Sequence, residues 1–295
     1  MALSAEAIFR HPALHPNIRR QSQALIQGYE ANPRAGAVFA TQQRWLLGHI
    51  GFALHFRGMQ DQLSGLSTAR FLEAVLEHRV ASRNTADAFL KELLKYNLIR
   101  RVPDTTDKRV RALEPVAATM ESLWGWAMLH LATLDALQPK GRLEIFLGDP
   151  TLLQRMQPLI ADGLLASPVV REPQKTFSLF TWLNNGGVVM DWLIAGMELG
   201  DMDAGRIQTG VFSVADMTVY LKLSRSHLMR KLREAEAMGS LGWEGKPGHS
   251  RMWVSKDFYD EYAMAQAVKL AIIDAAFEAC CGAKAVEPSR LTGRE

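Results

Sequence analysis

The sequence predicts a mainly α protein with small β-wings (α+β), in which one module occurs twice between long helices under a pseudo-two-fold. Three observations lead there. Apolar residues recur at steps of three and four through most of the 295 residues, the spacing of helices that bury one side. Two short strand-like pairs, each split by a turn-forming loop, follow two pairs of short helices. The second of these stretches also lies over the first, its key helix without a gap.

Taken in order, His11-Pro12 and His15-Pro16 argue against an early helix. Asn17–Tyr29 reads as a helix with Ile18, Leu25 and Ile26 inward, and Asn32 to Gly36 as a turn. Val38–Gln60 is a longer helix through Phe39, Trp45, Leu46, Ile50, Leu54 and Phe56. Its His49 and His55 do not share a face, so neither reads as a metal ligand. After a turn at Gln62–Ser67, Thr68–Arg79 forms a helix with Phe71, Leu72, Val75 and Leu76 inward. Val80-Ala81 turns, and Ser82 caps a helix that buries Ala86, Phe89, Leu90, Leu93 and Leu94. Asn84, Ala88, Lys91 and Lys95 face outward, and Asn97 stops it. Leu98–Val102 and Val110–Leu113 are strands around a Pro103–Arg109 tip, and Ala117–Leu137 is a long amphipathic helix.

Pro139-Lys140-Gly141 is a break, Leu143–Leu147 a short strand, Thr151–Gly163 a helix and Pro168–Pro173 a connector. Phe177–Met197 is helical with an interruption at Asn184-Asn185-Gly186-Gly187. Ser213 caps a helix through Val214, Met217, Thr218 and Leu221; Lys222-Leu223 turns; Ser224 caps the next helix. There Leu228, Leu232 and Ala235 take one side, while Ser226, Arg230 and Arg233 point the other way, flanked by His227 and Met229. From Lys222 to Arg233 the charges are Lys222, Arg225, Arg230, Lys231 and Arg233, with no acid. Beyond Gly239, Leu241–Trp243 pairs with Met252–Val254 across a loop that holds Gly245, Lys246, Pro247, Gly248, His249 and Arg251. Phe258–Cys280 is the last helix, and Gly282–Glu295 reads as a disordered tail. The boundaries are 36–138 for the first module, 139–176 for a connector, 177–281 for the second module and 282–295 for the tail.

Laying Ser82 over Ser224 is an offset of 142 residues. Ala86 then meets Leu228, Leu90 meets Leu232, Lys91 meets Arg233, Leu93 meets Ala235, Asn97 meets Gly239 and Ile99 meets Leu241. Core meets core and stop meets stop, so the expectation is tandem winged helix-turn-helix modules flanked by long helices. A basic helix face is ordinarily only a solvated face. A short helix that is apolar behind and basic in front, twice over, is what reading a DNA major groove requires. The expected contacts with double-stranded DNA are Arg83, Asn84, Thr85, Lys91, Lys95, Lys108, Arg109 and Arg111 in the first module. In the second they are Arg225, Ser226, His227, Arg230, Arg233, Lys246 and Arg251. Arg230 and Arg233 suit guanine edges and Asn84 an adenine, while Lys91, Lys95, Lys246 and Arg251 suit phosphates.

A net charge of +3 and a pI near 8.9 argue little by themselves; the clustering of cations matters more. The two cysteines, Cys280 and Cys281, are adjacent and read as reduced thiols. No signal peptide, membrane span, zinc spacing, Walker A loop, nucleophile elbow or dinucleotide glycine signature is present in the sequence. The expectations are therefore no enzyme, no cofactor, no membrane partner and a cytoplasmic place in a bacterium-like cell. A small-molecule effector is a further expected partner, between helices bearing Trp45, Trp124, Trp126, Met128, Trp182, Met190 and Trp192, although such residues at helical spacing are more often core.

Leu98–Leu113 resembles the wing of the MarR (multiple antibiotic resistance regulator) family, with Asp107-Lys108-Arg109 as its Asp-x-Arg pair and Leu113 at the strand end. The resemblance covers about Val38–Leu137 and, more weakly, the second half. It implies a transcription regulator that binds DNA as a dimer through long terminal helices, with Arg109 in the minor groove held by Asp107. The second wing departs from it: His249-Ser250-Arg251 replaces the pair loosely. Family members carry one module per chain, so this chain would be a monomeric pseudo-dimer or a homodimer. The alternatives are a plasmid-type replication initiator, which also has tandem winged helices, and a protein-interaction or effector-sensing module that does not bind DNA.

Overall fold

A computed structural model describes residues 1–281 apart from 32, 40, 62–64, 103–111, 174, 182–185, 198, 200–204 and 222–223. It is mainly helical, with two small antiparallel sheets. The chain opens with α1 (Ala5–Phe9), α2 (Leu14–Ala31), α3 (Pro33–Val38) and α4 (Gln42–Asp61). Next come α5 (Thr68–Glu77), α6 (Arg83–Lys95), β1 (Ile99–Arg101), β2 (Leu113–Pro115) and α7 (Ala117–Leu137). Then follow α8 (Arg142–Gly148), α9 (Leu152–Ala166), α10 (Pro168–Arg171), α11 (Lys175–Thr181) and α12 (Gly186–Ala195). The last are β3 (Arg206–Gln208), α13 (Val214–Leu221), α14 (Arg225–Ala237), β4 (Leu241–Trp243), β5 (Met252–Ser255) and α15 (Lys256–Cys281).

The local signals at α6 and α14 produce matching helix starts and stops. Helices α6 and α14 have 13 residues each. Ser82 accepts the Thr85 N–H at 3.2 Å and Ser224 accepts the His227 N–H at 3.4 Å, each supplying a partner for an otherwise unsatisfied first-turn donor. Both helices stop on a left-handed residue, Asn97 at φ 53° and Gly239 at φ 71°. There the Leu98 N–H reaches the Leu93 carbonyl at 2.9 Å and the Ser240 N–H the Ala235 carbonyl at 3.0 Å, the six-to-one bond of a Schellman stop.

Strands β1 and β4 follow at the same offset. In the second sheet the order is β3-β5-β4, with Val254 opposite both Ile207 and Leu241. In the first, Ile99 stands opposite Pro115, and the segment before α5 takes the third place. Ser67 bridges to Ala112, and the Leu113 N–H donates to the Leu66 carbonyl at 2.8 Å.

The long helices pack in a pattern that reads alike from either half. Helix α9 lies on α4 and α2 on α12; α8 lies on α7 and α1 on α15; α2 and α9 also touch α7 and α15 respectively, and α7 meets α15. One hydrophobic core runs through all of it, from Ile8 to Phe277. At its centre Arg142 is fully buried. Its Nε donates to Asp274 at 2.7 Å and its guanidinium reaches Asp135 at 3.2 Å and the Gln138 carbonyl at 2.7 Å. Asp135 in α7 and Asp274 in α15 lie equally far from the starts of their helices. Asp135 also accepts the N–H groups of Arg142 and Leu143, and Asp274 accepts that of Leu3 at 2.7 Å.

Several elements differ from expectation. The expected strand Leu143–Leu147 is helix α8, because the Asp135 carboxylate satisfies its first-turn N–H groups. The prolines do not prevent early helices. Ser4 caps α1, and Pro16 sits in the first turn of α2, where a missing N–H costs nothing. The expected turn around Pro33 is α3, the connector 139–176 holds α8, α9 and α10, and Leu76 is exposed on α5. The expected wing tip Pro103–Arg109, the Lys222-Leu223 turn and the tail 282–295 lie outside the described residues.

Arg142→Ala leaves Asp274 buried without its counter-charge. We expect a loss of about 3–5 kcal/mol in chemical denaturation; a loss under about 1 kcal/mol would show that this ion pair does not hold the centre.

Candidate nucleic-acid interface

Helix α14 buries Leu228, Leu232 and Ala235 and turns the rest of its surface outward. Arg225, Ser226, Arg230 and Arg233 are exposed and His227 half-buried, so the sequence-derived face forms as one surface. Two of its cations are partly engaged. Glu234 accepts from Lys231 at 2.7 Å, which pulls its carboxyl below the usual range, and lies 3.9 Å from Arg230. Arg225 and Arg233 make no ion pair among the described residues. The hairpin loop beside β4 and β5 is braced from within. Glu244 N–H donates to the Arg251 carbonyl at 2.9 Å, His249 N–H to the Lys246 carbonyl at 3.0 Å, and Gly245 N–H to Ser250 Oγ at 3.0 Å. Gly248 has φ 77°, a conformation that suits glycine. Lys246 and His249 project from this loop into solvent.

Arg251 plays a different part. It is half-buried, donates from Nε to the Thr209 carbonyl at 3.3 Å and lies 5.7 Å from the centre of the Phe212 ring. It ties the hairpin to the segment before α13. Arg206 was not singled out from the sequence, because three residues of β3 carry too short an alternation to read. It is exposed on the sheet edge and stacks over Trp253 at 4.4 Å.

Helix α6 offers the weaker surface. Arg83, Asn84, Lys91 and Lys95 are exposed, but Lys91 pairs with Asp87 at 2.7 Å and Lys95 lies over the Tyr96 ring at 5.6 Å. Thr85 is exposed as well, yet its hydroxyl is 2.9 Å from Ser82 and serves the cap. On the inner side Glu92 pairs with Arg44 of α4. Lys108, Arg109 and Arg111, with Asp107, lie outside the described residues.

Behind these surfaces the long helices enclose polar groups at matched places. His49 of α4 is hydrogen-bonded to Gln157 of α9 at 2.8 Å. Asp191, at the 142-residue offset in α12, accepts from Ser22 of α2 at 3.0 Å and from Tyr262 of α15 at 3.2 Å. Burial, with the nearby Lys269 ammonium, holds His49 down to about 3. Burial raises Asp191 to about 6 and lowers Lys269 to about 8. His130 is also pushed well below its usual value, mainly by burial, and its Nε2 has no hydrogen-bond partner among the described residues.

The described tryptophans expected around an effector are half-buried and pack against this interior. Trp45 and Trp126 lie 4.6 and 5.2 Å from the His49 ring, Trp124 lies 4.3 Å from Phe146 and Trp192 4.3 Å from Tyr220. Met190 is buried, and Trp182 lies outside the described residues. No described helix is long and apolar enough to cross a membrane, and neither cysteine is in a disulfide among the described residues. Compared with protein-family models, with curated proteins and with solved structures, the chain finds no match.

The buried titrations set a pH dependence. The unfolded chain binds a proton at His49 near 6.5 and the folded protein only near 3, so folding weakens as pH falls from 6.5. Asp191 acts in the opposite sense, taking a proton near 6 when folded and near 3.8 when unfolded, so its contribution is lost as pH rises through 6. His49→Gln should therefore flatten the fall in melting temperature between pH 7 and 4.5, and Asp191→Asn should steepen it; slopes unchanged in both variants would refute the assignment.

Proposed function

We propose that the protein is a sequence-specific, double-stranded-DNA-binding transcriptional regulator. In this reading each half is a winged helix-turn-helix module of the MarR-like kind, α6 and α14 enter major grooves, and the hairpin loops lie along the backbone. The observation that carries it is the outer face of α14. Arg225 and Arg233 make no ion pair among the described residues, stand with Arg230 on one surface, and neighbour a braced loop with an exposed lysine. Arginine on a rigid helix suits guanine edges, and an exposed lysine suits phosphate.

The two modules would act from one chain, with α7 and α15 in the place of a dimer's terminal helices. Because α14 carries four Lys/Arg side chains and α6 three, the second module would supply most of the electrostatic attraction. The preferred site would be an imperfect palindrome. Catalysis and a cofactor have no part in this reading.

Titration of the whole chain against random and selected duplexes at two salt concentrations tests it. Arg230→Ala and Arg233→Ala should each cost about 1–3 kcal/mol on the selected site and relax preference at one base pair. Lys246→Ala should weaken all duplexes alike and reduce the salt slope by about 1. Absence of binding at low salt, or affinity unchanged in the Arg230→Ala/Arg233→Ala double variant, overturns the proposal.

A further inference from the structure

Three polar contacts meet at the turn between α5 and α6. Gln43 of α4 donates from Nε2 to the Val80 carbonyl in that turn at 2.9 Å. Its neighbour Gln42 donates to the Val170 carbonyl of α10 at 2.6 Å. Arg171, the last residue of α10, reaches from Nη2 to the Arg79 carbonyl at 3.4 Å. Helix α10 itself lies on α9 and α15, so a segment anchored on the long helices stands against the α5–α6 turn.

The place is cationic. Arg79 and Arg83 flank the turn and are exposed, and Arg171 is half-buried beside it. None of the three makes an ion pair among the described residues. Arg79 also stands at φ 52°, in the left-handed stop of α5, where the Val80 N–H closes on the Val75 carbonyl at 3.1 Å. The matching stops of α6 and α14 use Asn97 and Gly239, residues that take this conformation at little cost. Arginine takes it less readily, so the turn's geometry does not by itself ask for arginine there.

We propose that Arg171 and Arg79, with Arg83 beside them, hold one phosphate of a DNA backbone at the α5–α6 turn, so that a single anion joins the connector to the first half. A guanidinium offers several donors in a planar fork, and Arg171 uses one on the Arg79 carbonyl, which leaves others for a phosphate. Neighbouring cations without acids repel one another, and an anion among them removes that repulsion. Arg171 belongs neither to a recognition face nor to a hairpin, so this contact widens the footprint beyond the surfaces described above. It also adds cations on the side where α6 carries fewer than α14. The clamp rests on the DNA-binding reading, and its test separates the two.

Titration of the full chain against random and selected duplexes over a series of salt concentrations tests it. Arg171→Ala should weaken all duplexes alike and reduce the salt slope by about 1. Arg79→Gly should do the same while melting no lower than the parent, because glycine suits the left-handed stop. A role in folding alone would lower the melting temperature and leave the slope as it is. Arg57→Ala removes a cation paired with Asp162 further along α4 and should keep the parental slope. Parental slopes in both Arg171→Ala and Arg79→Gly, or an equal fall in Arg57→Ala, overturn the clamp and leave DNA binding standing. Absence of binding by the parent at low salt overturns both.

Discussion

The rest of the structure depends on one buried cation. Arg142 stands between Asp135 and Asp274, and a guanidinium removed from water is tolerable only because both carboxylates and the Gln138 carbonyl meet it. The same two carboxylates also take backbone N–H groups from the segments that lead into α1 and α8. One cluster thereby sets how α7 and α15 slide against each other and where the next helices start. Both hairpins feed straight into these two helices, so the register at the centre propagates to the outer surfaces.

On that shared frame the two halves carry different chemistry. His49 answers Asp191, His130 answers Lys269 and Trp124 answers Ala263, each at a matched position. Outside, Asp87 restrains Lys91 on α6, while Arg225 and Arg233 on α14 make no ion pair among the described residues. Backbone geometry depends on caps, stops and apolar spacing, which both halves keep. Charge depends on single side chains, which differ. A molecule built this way carries two similar sets of caps and stops with different charge on their outer faces.

The parts legible in the sequence were those with short-range causes. Ser82 and Ser224 cap within three residues, Asn97 and Gly239 adopt a left-handed turn, and apolar steps of three and four pick out the inner sides of α6 and α14. The parts that were not legible have partners outside their own element. Helix α8 looked like a strand because Asp135, which satisfies its first turn, precedes a proline-glycine break. Strand β3 has three residues and exists through pairing with β5, so its Arg206 gave no signal. Arg251 read as a free cation in the loop, yet Thr209 and Phe212 engage it.

By itself, then, the amino-acid order determined the helical class, the twofold occurrence of a capped helix before a hairpin, and the outward cations of α14. These follow from backbone torsions and side-chain periodicity acting over a few residues. Only the tertiary structure decided that α1 and α2 lie against α15 and α12, and that Arg142 reaches Asp274 at the far end of the chain. Those outcomes are contacts between segments more than a hundred residues apart, and close packing, which no local pattern records, selects among them.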